Sequence, residues 1–354
     1  MNNQHFERLD SIRFYAVFAV IFAHIFQIWT WPETQVFLLP LGNVGVQVFF
    51  VLSGFLITRI LLSEPKGTPI QTSFKNFYLR RSLRIFPIYY LYLLIVFSFN
   101  LENIGETSFY PWLYLTNIYI FTQDTWLLAN SHLWTLSIEE QFYIVCPFLV
   151  LLLQHRAKLL ATIFVGIILV AMSTRVYLYL NNYSISPQIE VFTLANLDGL
   201  SFGGLLALAY LNYGKLMQRY GLPMIIVGLL GYYLSFLLKY NGHLEWLFWS
   251  FGKFSIAIFA GGLIIYALFS QNNRHIFHNA TTIYLGKISY GLYLYHNIIV
   301  AHYDKILGFF GITLSDNIII KIIVSIALTI FIAYLSFSII EKPLLRLKSK
   351  FKSG

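Results

Sequence analysis

Long apolar runs recur along the chain and constrain its fold more than any other feature. About ten of them approach the roughly 20 mainly apolar residues that an α-helix needs to cross a bilayer. Unpaired backbone groups are costly in hydrocarbon, so such runs form helices that satisfy their own hydrogen bonds. We therefore predict an all-α, polytopic integral membrane bundle of about ten transmembrane helices. The predicted spans are 11–31, 43–63, 85–100, 132–153, 159–180, 194–212, 221–239, 245–269, 284–303 and 317–340, and the third is short and could begin earlier.

The composition agrees with a membrane protein. The 354 residues are 58% hydrophobic and 11% charged, whereas an average soluble domain is about one quarter charged. No stretch is long and polar enough for a separate soluble domain, so we predict one transmembrane domain over 1–345 and a basic cytoplasmic tail over 346–354. The single cysteine, Cys146, lies in an apolar run and is predicted to be a core residue.

The charged residues between the runs predict the orientation. Basic segments such as 64–84 and 342–352 alternate with acidic connections that carry Glu102 and Asp124. The positive-inside rule therefore places both termini in the cytoplasm. This pattern also explains the net charge of +9, so we do not expect a nucleic-acid partner. Residues 1–10 carry both charge signs and no small-residue cleavage site follows, so the first run is interpreted as a retained signal-anchor.

Two residues of the first run, Arg13 and His24, suggest chemistry. They are eleven residues apart, so they share one face of a helix, separated by about 16 Å along its axis. His24 is then expected near mid-bilayer, where an imidazole is costly and marks a functional candidate. It could act as a general base toward a hydroxyl, with Arg13 favouring its neutral form and binding an anionic ligand. The alternative is a core histidine that bonds across helices.

Arg81 and Arg84 are the second candidates. They are three residues apart and share a helix face, and forked guanidinium groups suit phosphate. The alternative is a plain cluster that sets orientation, although that does not explain why arginine is used throughout.

The third candidates lie in the segment 131–143. Glu139 and Glu140 fall inside an apolar run, and two adjacent carboxylates do not both face lipid cheaply. His132 and Glu139 are seven apart, so they share a face and could orient an acceptor hydroxyl or tune His24. The alternative is an ion pair of Glu139 with Arg175 or Arg13.

The ninth predicted span carries a polar stripe. Ser289, Tyr293 and His296 recur at intervals of three or four, and His296 falls near mid-span. This stripe is either part of a site or a set of contacts between helices.

The aromatic segment 101–131 is predicted to stack on sugar rings or to anchor the chain at the interface. Its candidate rings are Tyr110, Trp112, Tyr114, Tyr119 and Trp126.

Other residues are expected to serve the fold. Gly54 and Gly203 belong to two glycine-rich sets that are predicted to let helices pack closely, and Asp198 is expected to pair with Arg175. The sequence holds no metal-binding motif, phosphate-binding loop, dinucleotide fingerprint or nucleophile elbow, so no metal is expected.

These segments together resemble the membrane acyltransferase-3 family. Arg13 and His24 match the Arg-x10-His pattern of that family's first helix, and the resemblance covers essentially the whole chain. Thr135 stands where the family often has serine. The other segments that resemble the family, in its order, are 45–58, 80–87, 131–143 and 288–296.

The resemblance implies an enzyme of the bacterial inner membrane. It implies an O-acyltransferase that moves an acyl group, expected to be acetyl, from cytoplasmic acetyl-CoA to a hydroxyl of a lipid-linked or cell-surface sugar. Expected acceptors are cell-envelope glycans such as peptidoglycan, lipopolysaccharide and other surface polysaccharides. Some family members carry a C-terminal extracytoplasmic domain. This chain ends soon after the last predicted span, so we expect direct transfer or a separate protein that completes the reaction.

The resemblance also implies roles for individual residues. His24 is the expected general base, with Glu139 and Arg13 as further catalytic residues. The phosphates of acyl-CoA are expected at Arg13, Arg81 and Arg84. The residues expected to bind the acceptor are Trp134, Glu139, Tyr143 and His296.

Two other classes of function remain open from the sequence. Intramembrane His, Arg and Glu also suit a proton-coupled transporter of a solute or a lipid-linked sugar, but matching helix-breaking pairs in two halves are not seen. A structural or sensing protein would leave the buried charges unexplained.

Overall fold

Every regular element that the structure describes is helical, which confirms the all-α prediction. The structure is a computed structural model, and it describes residues 4–29, 35–65, 67–99, 101, 109–240, 244–269, 276–312 and 317–347. The α-helices are α1 (Gln4–Trp29), α2 (Gln35–Leu62), α3 (Ile70–Ser98), α4 (Phe109–Trp112), α5 (Thr116–Gln123), α6 (Leu133–Leu152), α7 (Ala157–Leu180), α8 (Leu197–Tyr213), α9 (Gly221–Tyr240), α10 (Glu245–Leu247), α11 (Lys253–Phe269), α12 (Ala280–Lys287), α13 (Ser289–Ala301), α14 (Tyr303–Phe309), α15 (Ile318–Ser336) and α16 (Lys342–Leu347). Short π-helical or 3-10 turns occupy Ile185–Ile189, Leu194–Asn196, Gly214–Tyr220, Phe248–Gly252, Ile276–His278 and Phe337–Glu341.

The described helices form a multi-pass membrane bundle. Eight segments are long and apolar enough, by length and composition, to cross a membrane. They are Phe6–Trp29, Leu41–Leu62, Ile70–Ser98, Leu133–Leu152, Ala157–Leu180, Leu194–Lys239, Glu245–Phe269 and Ile318–Leu347. The count of ten spans and the cytoplasmic termini stay predictions, and Glu102 and residues 348–354 of the predicted tail lie outside the described residues.

The differences from the predicted spans have local causes. The sixth and seventh predicted spans lie within the segment Leu194–Lys239, where α8 ends before Gly214 (φ 50°, ψ −125°) and a 3-10 turn leads to α9. The ninth is divided into α12 and α13, since the backbone at Ile288 leaves the α-helical geometry. The third begins at Ile70, inside the basic segment, where the sequence had allowed an earlier start.

Helix α2 lies at the centre and packs against α1, α6, α8 and α11. A Cβ atom on Gly54 would overlap the backbone of Leu200 on α8, and one on Gly203 would overlap the backbone of Val51 on α2. These two glycines therefore allow the close approach that was predicted for them. The predicted ion pair is also present, with 2.8 Å between Arg175 Nη2 and Asp198 Oδ2.

Candidate active site

Two adjoining cavities open within the bundle. One, the arginine cavity, has a volume of about 400 Å³ and is lined by the first turns of α1, the last turns of α2 and part of α3. The other, the histidine cavity, has a volume of about 500 Å³ and lies toward the opposite ends of α1 and α2. Val46 and the ring of Tyr293 line both, so they form the partition between the two.

Four arginines line the arginine cavity: Arg13, Arg59, Arg81 and Arg84. Arg13 donates a hydrogen bond to Asp10, one turn earlier on α1. The other three have no carboxylate within 4.0 Å in the part of the chain that the structure describes, and we call them the three unpaired arginines. A guanidinium group that forms no ion pair with a carboxylate keeps N–H donors for an anionic ligand.

Aromatic rings hold two of the unpaired arginines in place. The Arg81 guanidinium lies 3.8 Å from the ring centroid of Tyr143, and that of Arg59 lies 3.8 Å from the ring centroid of Phe6. This stacking fixes the guanidinium planes while leaving N–H groups available to a ligand. Arg80, which directly precedes Arg81, instead forms an ion pair with Glu64 at 2.9 Å and does not line the cavity.

Glu139 and Glu140 also line the arginine cavity, and Glu139 accepts a hydrogen bond of 2.6 Å from the Ser53 hydroxyl. The structure places no described hydrogen bond or ion pair between Glu139 and His24. An ion pair of Glu139 with Arg175 is ruled out, because Arg175 pairs with Asp198. Arg13 likewise pairs with Asp10 and not with Glu139.

The histidine cavity contains a pair of imidazoles. His24 on α1 lies with its Nδ1 2.7 Å from Nε2 of His296 on α13, and the rings stack 8° from parallel. His296 is 0% exposed, whereas His24 is half-buried and lines the cavity. The sequence had predicted both as site residues, and the fold brings them together over 272 residues. The ring of His24 is therefore the one that a ligand in the cavity can reach.

The hydrogen bonds fix which nitrogen of each neutral ring carries the proton. Nδ1 of His296 lies 2.6 Å from the backbone carbonyl of Tyr293, and a carbonyl only accepts, so this Nδ1 is protonated. Nε2 of His296 then accepts from Nδ1–H of His24. In a neutral His24 ring this leaves Nε2 without a proton and free to act as a base.

A third histidine, His132, supports the partition. Its two nitrogens lie 3.0 and 3.1 Å from the carbonyls of Ala129 and Leu294, and its ring is perpendicular to that of Tyr92. The Tyr293 hydroxyl lies 2.6 Å from Thr135 Oγ1 and donates to the His132 carbonyl at 3.1 Å.

Among the described residues no group of His, Cys, Asp and Glu is arranged to hold a metal ion.

The remaining wall of the histidine cavity is aromatic and polar. Trp126, Trp134, Glu190 and Asn297 line it, together with further amide and hydroxyl groups. Trp126 donates a hydrogen bond of 3.1 Å to Ser186. Burial raises the pKa of the Glu190 carboxyl above its usual value, while Lys253 and Ser186 act in the opposite direction.

The five candidate rings of the segment 101–131 do not all lie at a cavity. Trp126 lines the histidine cavity. Trp112 stacks on Tyr90, Tyr114 stacks on Tyr89, and Tyr110 lies against Tyr119, so none of these four predicted rings lines either cavity.

The predicted site residues thus fall into three groups. Arg13, Arg81, Arg84 and Glu139 line the arginine cavity, and His24 and Trp134 line the histidine cavity. Tyr143 and His296 are buried behind the walls, where each contacts a lining residue.

Arg59 and Glu190 are among the lining residues that the sequence had not indicated. Arg59 ends the second apolar run and carried the same signal as Arg81, a cation at the basic end of a span. Glu190 is a lone carboxylate between Ile189 and Val191, and that isolation was a usable signal.

Comparison with known proteins gives a consistent family. A family model described as an acyltransferase domain matches residues 6–339. Peptidoglycan O-acetyltransferase OatA of Listeria monocytogenes serovar 1/2a is 29% identical over 366 residues, covering 95% of this chain and 55% of that protein. O-acetyltransferase OatA of Staphylococcus aureus strain NCTC 8325 is 26% identical over 361 residues, covering 95% and 56%. A protein of Staphylococcus aureus strain COL with an inferred O-acetyltransferase assignment is 28% identical over 361 residues, covering 95% and 56%.

The chain spans about half the length of the curated relatives that it matches. No solved structure gives a match to it.

Proposed function

The chain belongs to the acyltransferase-3 family, and we propose that it is a membrane O-acyltransferase. It moves an acyl group, expected to be acetyl, from cytoplasmic acyl-CoA to a hydroxyl of a cell-surface or lipid-linked sugar at the bacterial inner membrane. The observation that carries the proposal is the pair of adjoining cavities, one lined by unpaired arginines and the other by a stacked histidine pair. Because a named relative from Listeria is a peptidoglycan O-acetyltransferase, peptidoglycan is the first acceptor to test.

The donor binds in the arginine cavity. The three unpaired arginines supply forked N–H donors that match the phosphates of acyl-CoA, and Arg13 adds charge at the same wall. The basic cavity lies at the end of the bundle that the positive-inside rule assigns to the cytoplasm, where acyl-CoA is made available. The acyl-bearing arm extends past Val46 and Tyr293 toward His24.

His24 acts as the general base of the transfer. Its Nε2 takes the proton of the acceptor hydroxyl while that oxygen forms a bond to the thioester carbonyl carbon. The carbon–sulfur bond then breaks, and the thiolate leaves with the proton that His24 returns. The products are the sugar ester and free CoA, and no other reactant is needed.

His296 positions the base and shares its charge. The hydrogen bond from His24 Nδ1 to His296 Nε2 fixes the ring and its tautomer. When His24 gains a proton, the positive charge is spread over a second imidazole whose Nδ1–H is already bonded to a carbonyl. His296 has no exposed surface, so we assign it this positioning role instead of direct contact with the acceptor.

The roles of the other predicted residues follow from their positions. Trp134 lines the acceptor side, and Tyr143 acts by holding Arg81 on the donor side. Glu139 lines the donor side, where it is positioned by Ser53. Its proposed contribution is therefore to orient the donor's arm near the partition.

An assay of ester formation and uptake separates this proposal from the transporter alternative. The purified protein is placed in proteoliposomes with radiolabelled acetyl-CoA and peptidoglycan fragments, and label in alkali-labile ester is measured beside uptake of the glycan. We expect ester formation that depends on the protein. Acetyl-N-acetylcysteamine, a thioester without phosphates, should be a much poorer donor, because it cannot use the arginines. Uptake of a glycan or lipid-linked sugar with no ester formed would contradict the proposal.

A further inference from the structure

Glu190 gives the histidine cavity a different electrostatic character from its neighbour. Among the described lining residues, Glu190 is the one carboxylate, and Lys and Arg are absent. The other polar groups are amides, hydroxyls and imidazoles, including Gln27, Asn43 and Asn297. A carboxylate in such a wall presents acceptor oxygens to which a ligand can donate hydrogen bonds.

The Glu190 carboxyl is built into the wall. Trp126 donates its indole N–H to the Ser186 hydroxyl at 3.1 Å, and Ser186, four residues before Glu190, lowers the pKa of the Glu190 carboxyl. Trp126, Ser186 and Glu190 all line the histidine cavity, and the contact between Trp126 and Ser186 brings the indole ring near the segment that carries Glu190. A flat apolar ring next to a pair of acceptor oxygens is complementary to a pyranose ring with adjacent hydroxyls.

The side chain of Lys253 lies behind this wall of the histidine cavity. Lys253 is near enough to influence Glu190, but its Nζ donates to Asn196 Oδ1 at 2.5 Å and it does not line the cavity. Lys253 thus acts on Glu190 from the protein side, while no described Lys or Arg lines the cavity on the side of the ligand.

We propose that Glu190 and Trp126 form an acceptor subsite for an uncharged sugar ring and exclude acidic sugars from it. This inference rests on the proposed function, because it identifies the acceptor of that reaction. Hydroxyls of a neutral hexose or N-acetylhexosamine donate to the Glu190 oxygens while the ring packs on Trp126. A uronic acid places a second anion in a cavity where no described Lys or Arg lines the wall, and it adds like-charge repulsion with Glu190.

Binding of three simple glycosides to the purified full chain tests the subsite. The probes are tritiated p-nitrophenyl glycosides of glucose, N-acetylglucosamine and glucuronic acid, and equilibrium binding is measured without acyl-CoA. We expect the two neutral probes to bind with at least about tenfold higher affinity than the glucuronide, as like-charge juxtaposition requires. Equal binding of glucuronide and glucoside to the wild-type protein would overturn the proposal.

Glu190→Gln should reduce this discrimination to within about threefold, because the amide offers N–H donors to the uronate. Asp304→Asn is the matched control, since it removes one carboxylate that is exposed and does not line the cavity. It should retain the wild-type ratio of glucoside to glucuronide affinity. If the Glu190→Gln protein folds and its ratio of glucoside to glucuronide affinity is unchanged, the proposal is also overturned. If that variant does not fold, the ratio measured on the wild-type protein decides.

Ester formation with acetyl-CoA is measured on the same proteins. If the neutral probes bind more tightly than the glucuronide but no ester forms, the subsite is supported and the acyltransferase activity is rejected. If ester forms equally on all three probes, the acyltransferase activity is supported and the subsite is rejected.

Discussion

The arginine cavity and the histidine cavity meet at Val46 and Tyr293, yet side chains of different chemistry line them. Four arginines and several carboxylates line the first, whereas the described lining of the second has three histidines, one carboxylate and no Lys or Arg. Guanidinium groups suit phosphates, and neutral imidazoles suit proton transfer to and from hydroxyls. The difference implies that the anionic part of a donor is bound at a distance from the place where a proton moves.

Replacing His24 gives the largest expected effect and tests the chemical role of the histidine cavity. His24→Ala should lower kcat for acyl transfer by about 10²–10⁴-fold, the usual contribution of a general base. The donor KM should change little, because the arginines lie across the partition. Initial rates of ester formation check this expectation. His155→Ala, at an exposed position, is the matched control and should be as active as the wild type. A His24→Ala protein with full activity would exclude the mechanism.

Removing two of the three unpaired arginines tests the role of the arginine cavity. Hydrogen bonds to charged groups contribute about 1.5–3 kcal/mol, so Arg81→Ala with Arg84→Ala should raise the donor KM by about tenfold or more. The acceptor KM should stay within about threefold, since acceptor and donor occupy different cavities. Arg80→Ala removes a neighbouring arginine that is paired with Glu64, and it should leave the donor KM unchanged. A loss of kcat with no change in either KM would break the assignment.

The sequence predicted those features of the fold and of the two cavities that follow from helical periodicity or from the cost of burying a charge. The all-α membrane fold follows from run length, and the shared face of Arg81 and Arg84 follows from helical spacing. Asp198 with Arg175 was also predicted, because two charges in apolar runs need each other. Each of these predictions rests on the residues of a single segment or on the free-energy cost of leaving a buried charge without a partner.

Contacts between distant segments could not be predicted in the same way. Helical spacing put Arg13 and His24 on one face, but it could not show that a partition separates them into two cavities. The bond between His24 and His296 joins α1 to α13, so it depends on how the bundle closes. Of five aromatic rings in one segment, the sequence could not show that Trp126 alone of the five lines a described cavity, since each ring has the same composition signal.

Two tryptophans from that segment sharpen the comparison with a smaller effect. Trp126→Ala should raise the acceptor KM by about three- to tenfold, since an aromatic contact is typically worth about 0.5–1.5 kcal/mol beyond its buried area. The donor KM should not change. Trp112→Ala is the control, because Trp112 stacks on Tyr90 and lines neither cavity. If both variants raise the acceptor KM equally, the effect comes from the fold of the segment and not from contact with a sugar.

The smallest expected effect concerns the partition itself. Tyr293→Phe keeps the ring between the cavities but removes a hydroxyl that lies 2.6 Å from Thr135 and donates to the His132 carbonyl. Thr135 still donates to that carbonyl at 3.0 Å, so we expect a loss of about 0.5–1.5 kcal/mol in the free energy of unfolding. Both KM values and kcat should stay within about threefold, as measured beside thermal unfolding. Tyr295→Phe removes a comparable hydroxyl, bonded to Ser336 at 3.0 Å and outside both cavities, and serves as the control. A fall in kcat of tenfold or more in Tyr293→Phe alone would mean that this hydroxyl takes part in the transfer, and the partition would then belong to the chemistry and not only to the separation of the two ligands.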